Sequence, residues 1–385
     1  MLLCALAALA TAPSLAQASV PELAFTIPRQ APVGAASAAG HIGNPRGIAL
    51  APGDKRVYVA EAESNRVSVF TAQGSFLWAF GGGVATGEGS RAEICRARCF
   101  AGVEGGAPGQ FKGPRGVGID RGGDIYVVDE ENFRVQKLSA AGRPLWMVGG
   151  HVNATTGGNL CRVASRDTCK SGVQGRGVGE FRDWDAGSFI AVDPSGRVFV
   201  GDNGRIQLFD SGGDYLGQIR VPDEIDVGSI AIDPTSGAIS YAYSQFWGDD
   251  PYVYRLTRRG RQICTARVPG PTSLAAGPNG STYAVSDPAG TGPAKLEPTV
   301  VRISSACRVY GDFGRPASGT NLNSLAYAAI GSNLYVGTYA PEGSKSSIAV
   351  YAVGQPKGSF WGAVFGWLRK GELLVSWLIS RLELD

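Results

Sequence analysis

The chain has 385 residues, of which 56 are Gly and 22 are Pro, and only 18% are charged. A single core rarely grows beyond about 250–300 residues, so this length predicts either two domains or one repeat array. A formal net charge of +3 excludes the strongly basic composition of many nucleic-acid-binding proteins. No apolar run reaches the length of about 18 residues that a transmembrane helix needs.

The N-terminus has the features of a secretory signal peptide covering residues 1–18. An apolar stretch at residues 2–10 is followed by Ala16, Gln17 and Ala18, a small-x-small cleavage site, although the usual basic residues before it are missing. An N-terminal core helix is the alternative. Export would leave six of the seven cysteines in the mature chain, and an even number favours disulfides. We therefore expect a secreted, extracellular or cell-envelope protein.

Beyond the leader, one pattern of four short strands recurs. The first strand is almost wholly apolar, and a tight turn such as RGGD joins it to a second strand such as VYVA (57–60). A third strand alternates apolar and polar residues, as in RVSVF (66–70), and a fourth is clearest at FLWAFGG (76–82) and PLWMVGG (144–150). β-branched and aromatic residues at period two between turn residues are typical of strands. The six first strands are RGIAL (46–50), RGVGID (115–120), SFIAVD (188–193), GSIAID (228–233), TSLAAG (272–277) and NSLAYA (323–328).

Four antiparallel strands recurring six times predict an all-β fold, a six-bladed β-propeller over residues 19–357. The sixth copy lacks a fourth strand, which would leave an exposed sheet edge. Residues 22–28 (ELAFTIP) precede the first copy and belong to no blade. We expect this N-terminal strand to complete the sixth blade and close the ring; a disordered leader is the alternative.

The repeats resemble the NHL repeat family. The strings NPRGIALAPGDKRVYVAEAESNRVSVF, GPRGVGIDRGGDIYVVDEENFRVQKL and GSFIAVDPSGRVFVGDNGRIQLF carry its pattern, which is specific over residues 43–219 and fades in the last three blades. The resemblance implies a six-bladed propeller that most often serves as a binding platform. Two sets of its polar residues could form a ligand site, but Asp and Asn side chains commonly bond local backbone, so we interpret them as fixing the turn between strands two and three. They are Asp129, Asn132 and Arg134, and Asp202, Asn203 and Arg205.

Two long inserts separate the first three blades, and each contains two cysteines. After the second cysteine the inserts run in parallel, as FAGVEGGAPGQF and KSGVQGRGVGEF. We expect one disulfide within each insert, Cys95–Cys99 and Cys161–Cys169, because a local cross-link lowers the entropy of the disordered loop. A zinc ion held by all four thiolates is the alternative.

The other two cysteines, Cys264 and Cys307, complete the set of candidate disulfide residues. Whether they bond stays open, because outer strands of neighbouring blades diverge and a disulfide needs close Cα atoms. The glycines at residues 175–179 (GRGVG) imitate a dinucleotide-binding motif, but that motif works only between a strand and a helix. Here it leads into a strand, and we interpret it as a flexible loop.

One face of the predicted ring carries all the long connections. Turns from strand two to three and connections to the next blade emerge on this face, whereas the turns on the opposite face are minimal. Long loops on a rigid scaffold commonly carry recognition, so we expect a protein or glycan partner to bind here. Candidate binding residues combine aromatic bulk with charge, although the aromatics could merely pack their own loops. They are Trp184, Phe246, Trp247, Asp249 and Asp250.

We expect no enzymatic activity, no cofactor and no metal. The chain has only two histidines, His41 and His151, which is too few for the zinc site of NHL-related propeller lyases or for a catalytic triad. The alternative function is a calcium-dependent lactonase-like or hydrolase-like enzyme, or a lyase-like one. Scattered basic residues argue against nucleic acid, and we expect a monomer. The residues that could hold calcium at the channel mouth are Glu61, Asn65, Asp129 and Asp202.

The C-terminal segment, residues 358–385, changes character abruptly. Its apolar residues recur at helical spacing, and Arg369, Lys370 and Glu372 interrupt them. The pattern predicts an amphipathic tail, with residues 359–385 either in peripheral contact with a membrane or docked on a partner. An error in the reading frame is the alternative.

Overall fold

A computed structural model of the chain describes residues 22–28, 39–51, 53, 55–182, 190–221, 227–243, 251–287, 298–313, 321–328, 332–339 and 346–353. The predicted signal peptide and the C-terminal tail lie outside these residues. So do the five predicted binding residues, Trp184, Phe246, Trp247, Asp249 and Asp250. Within the described part of the chain, no helix has the length and hydropathy that crossing a membrane requires.

The described strands form six antiparallel sheets arranged as blades around a central channel, which confirms the predicted propeller. The first strands of successive blades lie against one another in chain order, and the sixth contacts the first, so the ring is closed. Their apolar residues pack between two neighbours, as strands buried on both faces require. The first strands are Pro45–Leu50, Pro114–Ile119, Ile190–Val192, Val227–Ile232, Pro271–Ala276 and Asn321–Ala328.

Each blade continues outward from its first strand through successive antiparallel neighbours. The second strands are Arg56–Glu61, Ile125–Asp129, Val198–Asp202, Ile239–Tyr243, Thr282–Ser286 and Asn333–Tyr339. The third strands are Arg66–Thr71, Arg134–Leu138, Arg205–Phe209, Tyr252–Leu256, Thr299–Ile303 and Ser347–Ala352. The fourth strands of blades 1 to 5 are Phe76–Gly82, Pro144–Gly149, Tyr215–Arg220, Gln262–Arg267 and Val309–Phe313. Among the described residues, two single turns of 3-10 helix, Glu130–Asn132 and Pro278–Gly280, lie in connections.

The N-terminal strand Glu22–Ile27 supplies the fourth strand of blade 6. It pairs antiparallel with Ser347–Ala352, with Phe25 opposite Val350. Ile27 is fully buried in the apolar cluster between blade 6 and blade 1. The predicted ring closure is therefore confirmed: the beginning and the end of the propeller share one sheet.

Blades 1 and 2 each have a fifth strand that the sequence did not predict. Ala92–Cys95 of the first insert pairs with Phe76–Gly82, and Leu160–Arg162 of the second insert pairs with Pro144–Gly149. Both added strands are too short to show the alternation of a half-buried strand, and their side chains add to the backbone pairing. Leu160 packs on the apolar cluster between blades 2 and 3, and Arg162 pairs with Asp214 at 2.8 Å. The added strands cover the outer edges of their sheets, which would otherwise be exposed.

The hydrophobic core lies in the spaces between neighbouring blades. Between blades 2 and 3, for example, Trp146 and Val148 of one blade pack with Ile190 and Phe209 of the next. Burying each large apolar side chain stabilises the fold by about 1.5–3 kcal/mol. The six interfaces together form a rigid ring on which the long connections are placed.

Candidate functional site

The loop-rich face is built on the two inserts, and each insert holds its own disulfide. Cys95 bonds Cys99 with a Cα–Cα distance of 5.4 Å. Cys161 bonds Cys169 with a Cα–Cα distance of 5.7 Å. All four sulfurs are therefore engaged in the predicted pairs, and the alternative zinc site has no free thiolate to use.

The remaining two cysteines also form a disulfide. Cys264 in the fourth strand of blade 4 bonds Cys307, in the turn before the fourth strand of blade 5, with a Cα–Cα distance of 6.1 Å. The bond links two blades, although outer strands diverge, and Cys307 lies in a turn with a φ of 59°. This pairing answers the question that the sequence left open.

A buried arginine holds the first insert against blade 2. The Arg134 guanidinium donates to Asp129 Oδ2 at 2.8 Å through Nε. Its two other nitrogens donate to the carbonyl oxygens of Gly106, Ala107 at 3.2 Å and Gln110 at 2.9 Å, all in the first insert. The Asp129–Arg134 ion pair is fully buried, so one charged pair fixes three carbonyls of the insert at once.

Blade 3 repeats this arrangement on the second insert, residue for residue. Arg205 donates to Asp202 Oδ2 at 2.7 Å. It also donates to the carbonyls of Arg176, Gly177 and Glu180, at 2.9, 3.1 and 3.0 Å. Because those three residues align with the three held by Arg134, the parallel sequences of the inserts reflect one repeated contact.

We call the contacts of Arg134 and of Arg205 with their inserts arginine clamps. A glutamine on the third strand adds two hydrogen bonds to each clamp. Gln136 Nε2 donates to the Gln110 carbonyl at 2.7 Å, and Gln136 Oε1 accepts from the Gly109 amide at 2.9 Å. Gln207 makes the same two bonds in blade 3. In blade 1 the equivalent residue is Ser68, whose buried hydroxyl has no hydrogen-bond partner among the described residues. Blade 1 keeps the ion pair, between Arg66 and Glu61, and Arg66 also donates to the carbonyl of His41 at 2.9 Å.

Each insert also ends in a buried phenylalanine. Phe111 packs on Phe80 with ring centroids 6.1 Å apart, and Phe181 packs on Phe209 at 6.3 Å. Both insert residues are fully buried. Each insert is therefore fixed at several points along its length: by its disulfide, its added strand, its arginine clamp and its buried phenylalanine.

The carboxylates that could have held calcium are committed to these contacts. Besides their arginines, Glu61, Asp129 and Asp202 accept from the backbone amides of Gly43, Lys112 and Arg182 at equivalent positions of the repeat. The remaining candidate, Asn65, accepts from Gly113 N at 3.0 Å through Oδ1. In the described part of the chain, no group of three or more His, Cys, Asp or Glu residues could hold a metal ion. The sequence interpretation has Asp129 and Asp202 bonding the backbone of the local turn. In the structure they bond their arginines and the amides of Lys112 and Arg182 at the ends of the inserts.

Burial dominates the electrostatics of blade 2. It raises the pKa of Asp129, although Arg134 favours the charged form. In the next residue, burial raises the pKa of Glu130 to about 7, against the opposing effect of its ion pair with Arg115. Arg115 belongs to the first strand, so this ion pair joins the turn on the loop-rich face to the channel wall.

The channel itself opens into a cavity of about 580 Å³ on the opposite face. Apolar residues of the first strands, such as Val117, Ile190 and Leu274, form its wall, and Asp233 and Asn279 lie at its rim. The Asp233 carboxylate pairs with Arg255 at 3.4 Å. The cavity is thus a mostly apolar passage with a polar rim.

The loop-rich face also carries features that sequence reasoning missed. Phe100, Val173 and Val178 of the inserts are about half exposed, at 47%, 45% and 51%. A recess in blade 3 collects several arginines, including Arg176 and Arg220. The parallel insert sequences could have indicated the arginine clamps, because both copies lead into the same Asp–Arg pattern.

Residues 111–138 match the family model of the NHL repeat. No curated protein shows significant sequence similarity to the chain. The solved structures similar in fold include hydrazine synthase of Kuenenia stuttgartiensis, at 14% identity and a TM-score of 0.48, covering 80% of this chain and 77% of that one. They also include virginiamycin B lyase of Staphylococcus aureus with quinupristin, at 12% identity and a TM-score of 0.45, covering 82% and 85%. The nidogen/laminin complex matches at 13% identity and a TM-score of 0.44, covering 75% and 84%. With its six antiparallel blades and this family match, the chain is a six-bladed β-propeller that contains an NHL repeat.

Proposed function

We propose that the protein is a secreted or envelope-associated binding propeller without enzymatic activity, which recognises a protein or glycan through its loop-rich face. The observation that carries the proposal is the fixation of both inserts on that face. Long loops lose conformational entropy when they bind, and fixing them beforehand removes that cost. Each insert has the contacts that such pre-organisation requires: a disulfide, a buried ion pair and a buried phenylalanine.

The proposed location rests on the three disulfides. Disulfides persist in oxidising compartments and are rare in reducing ones. All six cysteines in the described residues are paired, which supports export to the cell surface or the medium. The N-terminal sequence is the proposed signal for that export.

The contact surface is proposed to centre on the exposed apolar residues of the inserts, together with the predicted residues Trp184, Phe246 and Trp247. Exposed apolar side chains surrounded by polar residues are typical of recognition surfaces. Phe100 follows the first disulfide directly, so its position is fixed by the cross-link.

A pull-down from native envelope and medium tests the proposal. The bait is the wild type, a Phe100→Ala/Val173→Ala/Val178→Ala variant, or a control variant, Leu216→Ala/Ile263→Ala. The control removes apolar residues that are equally exposed, at 53% and 50%, but lie on outer strands instead of the loop-rich face. We expect a partner that the wild type and the control retain and the insert variant loses, at unchanged thermal stability. Equal capture by all three proteins would refute the assignment to this face.

A further inference from the structure

Blade 3 has an open, positively charged recess on the loop-rich face, with a volume of about 420 Å³. It lies between the second insert, the turn from strand two to three, and the end of the fourth strand. The side chains that matter for its chemistry are Arg176, Arg182, Asn203, Arg205, Gln218 and Arg220. We call it the blade 3 recess.

The internal repeat shows what fills this place in blades 1 and 2. Arg66 Nη1 donates to the carbonyl of Phe100 at 3.0 Å, and Arg134 Nη1 donates to the carbonyl of Lys170 at 3.1 Å. Phe100 and Lys170 each belong to the insert that follows the blade. In both blades an oxygen of the following insert therefore covers the arginine, whose side chain is fully buried.

In blade 3 the chain around the recess is different. In blades 1 and 2 a pair of glycines stands at the end of the fourth strand, and the second of each pair, Gly82 or Gly150, lies against the following insert. A Cβ atom at Gly150 would come within 2.3 Å of the Val173 carbonyl oxygen. Blade 3 has Arg220 and Val221 at these two positions. Their side chains prevent a backbone from lying there as the following insert does in blades 1 and 2. Arg205 instead donates to Gln218 Oε1 at 3.5 Å, and its side chain is 12% exposed.

The charge of the recess is not balanced among the described residues. Asp202 pairs with Arg205, whereas Arg176, Arg182 and Arg220 form no ion pair or side-chain hydrogen bond within the described part of the chain. Three guanidinium groups around one concave site favour a ligand with several anionic oxygens, because each can offer paired donors. The carboxamides of Asn203 and Gln218 add groups that can bond hydroxyls.

We propose that the blade 3 recess binds an acidic saccharide, with a carboxylate or sulfate oxygen at the place that the insert carbonyl occupies in blades 1 and 2. This rests on the proposed binding function and names the ligand class for part of the same face. An acidic peptide is less suited, since Arg220 and Val221 block the path that the insert backbone takes. A compact ring with hydroxyls and anionic groups matches both the shape and the donors of the recess.

Calorimetric titration at low salt tests the proposal, with a heparin-derived tetrasaccharide as the probe and its desulfated form as the comparison. The test variant is Arg176→Gln/Arg220→Gln, and the matched control is Arg121→Gln/Arg143→Gln. Both variants remove two exposed positive charges, but the control residues lie in turns on the opposite face. We expect roughly tenfold weaker binding in the test variant, because it loses two charged contacts to the saccharide, and a near wild-type affinity in the control.

A second variant tests the charge argument without removing any arginine. Asp223 and Glu224 follow Arg220 and Val221 closely in sequence, outside the described residues, and they add two negative charges to that segment of the sequence. Asp223→Asn/Glu224→Gln is therefore expected to bind the tetrasaccharide more tightly than the wild type.

Three results would overturn the proposal: no binding by the wild type, equal loss in test and control variants, or stronger binding of a penta-aspartate peptide than of the tetrasaccharide. The pull-down described above separates this failure from failure of the proposed function. If the insert surface still retains a partner while the tetrasaccharide does not bind, only the saccharide assignment is wrong.

Discussion

At the scale of single residues, the buried arginines explain how the loops are held. A guanidinium offers five N–H donors in a fixed plane, so Arg134 can serve one carboxylate and several carbonyls at the same time. Lysine has three donors on a flexible stem and cannot reproduce that plane. The clamp is therefore specific to arginine, and not merely to positive charge.

Replacing Arg134 by lysine is expected to lower the free energy of unfolding by about 2–3 kcal/mol, because buried carbonyls lose their donors. The matched variant Arg205→Lys should cost about half as much, roughly 1 kcal/mol, because its partners at the open recess can be hydrated. Urea unfolding of the two variants beside the wild type measures both. Equal losses would show that the buried clamp of Arg134 and the clamp of Arg205 at the open recess contribute equally to the free energy of unfolding.

Glu130 gives the protein a pH-dependent stability. Burial raises its pKa from 4.5 to about 7 in the folded state, so the folded protein binds this proton more readily than the unfolded chain does. Its contribution to stability is then fully present below about pH 4.5 and is lost as the pH rises toward 7. The loss over this range is at most about 3 kcal/mol.

The Glu130→Gln variant is expected to lack this part of the pH dependence, because glutamine does not titrate. The control is Glu104→Gln, a carboxylate of the first insert whose side chain is 62% exposed. Unfolding free energies in urea at several pH values between 4.5 and 7 give the slope for each protein. A Glu130→Gln slope identical to that of the wild type would contradict the assignment.

At the scale of elements, the disulfides differ in the length of chain that they close. The sequence separations are 4 for Cys95–Cys99 and 43 for Cys264–Cys307. In the chain-entropy account, stabilisation grows with the logarithm of loop length, which gives about 2 kcal/mol for the short loop and about 4 kcal/mol for the long one. Cys264→Ser/Cys307→Ser should therefore lose more stability than Cys95→Ser/Cys99→Ser in urea unfolding under oxidising conditions. The reverse order would indicate that the Cys264–Cys307 bond does not stabilise the protein by lowering the conformational entropy of the unfolded chain.

The sequence predicted those elements whose signal lies in the local pattern. The first strand of each blade was located because its residues are nearly all apolar, and the leader strand because blade 6 lacked one. The added strands Ala92–Cys95 and Leu160–Arg162 were missed, since backbone pairing on an existing edge needs no apolar alternation. The blade 3 recess was also missed, because it arises where no insert follows and joins Arg176 to Arg220 across a long stretch of chain.

At the scale of the whole molecule, the outer edges of the six sheets are treated in different ways. Insert strands cover the edges of blades 1 and 2, and the N-terminal strand forms the edge of blade 6. In blades 3 to 5 the fourth strand is outermost, with no further strand pairing to it among the described residues. The disulfide between blades 4 and 5 lies on this less covered side. The ring is thus reinforced by different means around its circumference.

Ring closure by the N-terminal strand gives the last prediction. Ile27 is fully buried between blades 6 and 1, whereas Leu23 on the same strand is 56% exposed. Ile27→Ala should therefore loosen the pairing with Ser347–Ala352 by removing buried apolar contacts, at a cost of roughly 2–4 kcal/mol, and Leu23→Ala should not. Hydrogen exchange measures the difference: amides of Ser347–Ala352 should exchange faster in Ile27→Ala, and faster still after deletion of residues 19–30, while Pro114–Ile119 stays protected. If Ser347–Ala352 stays as protected as in the wild type after the deletion, another contact closes the ring.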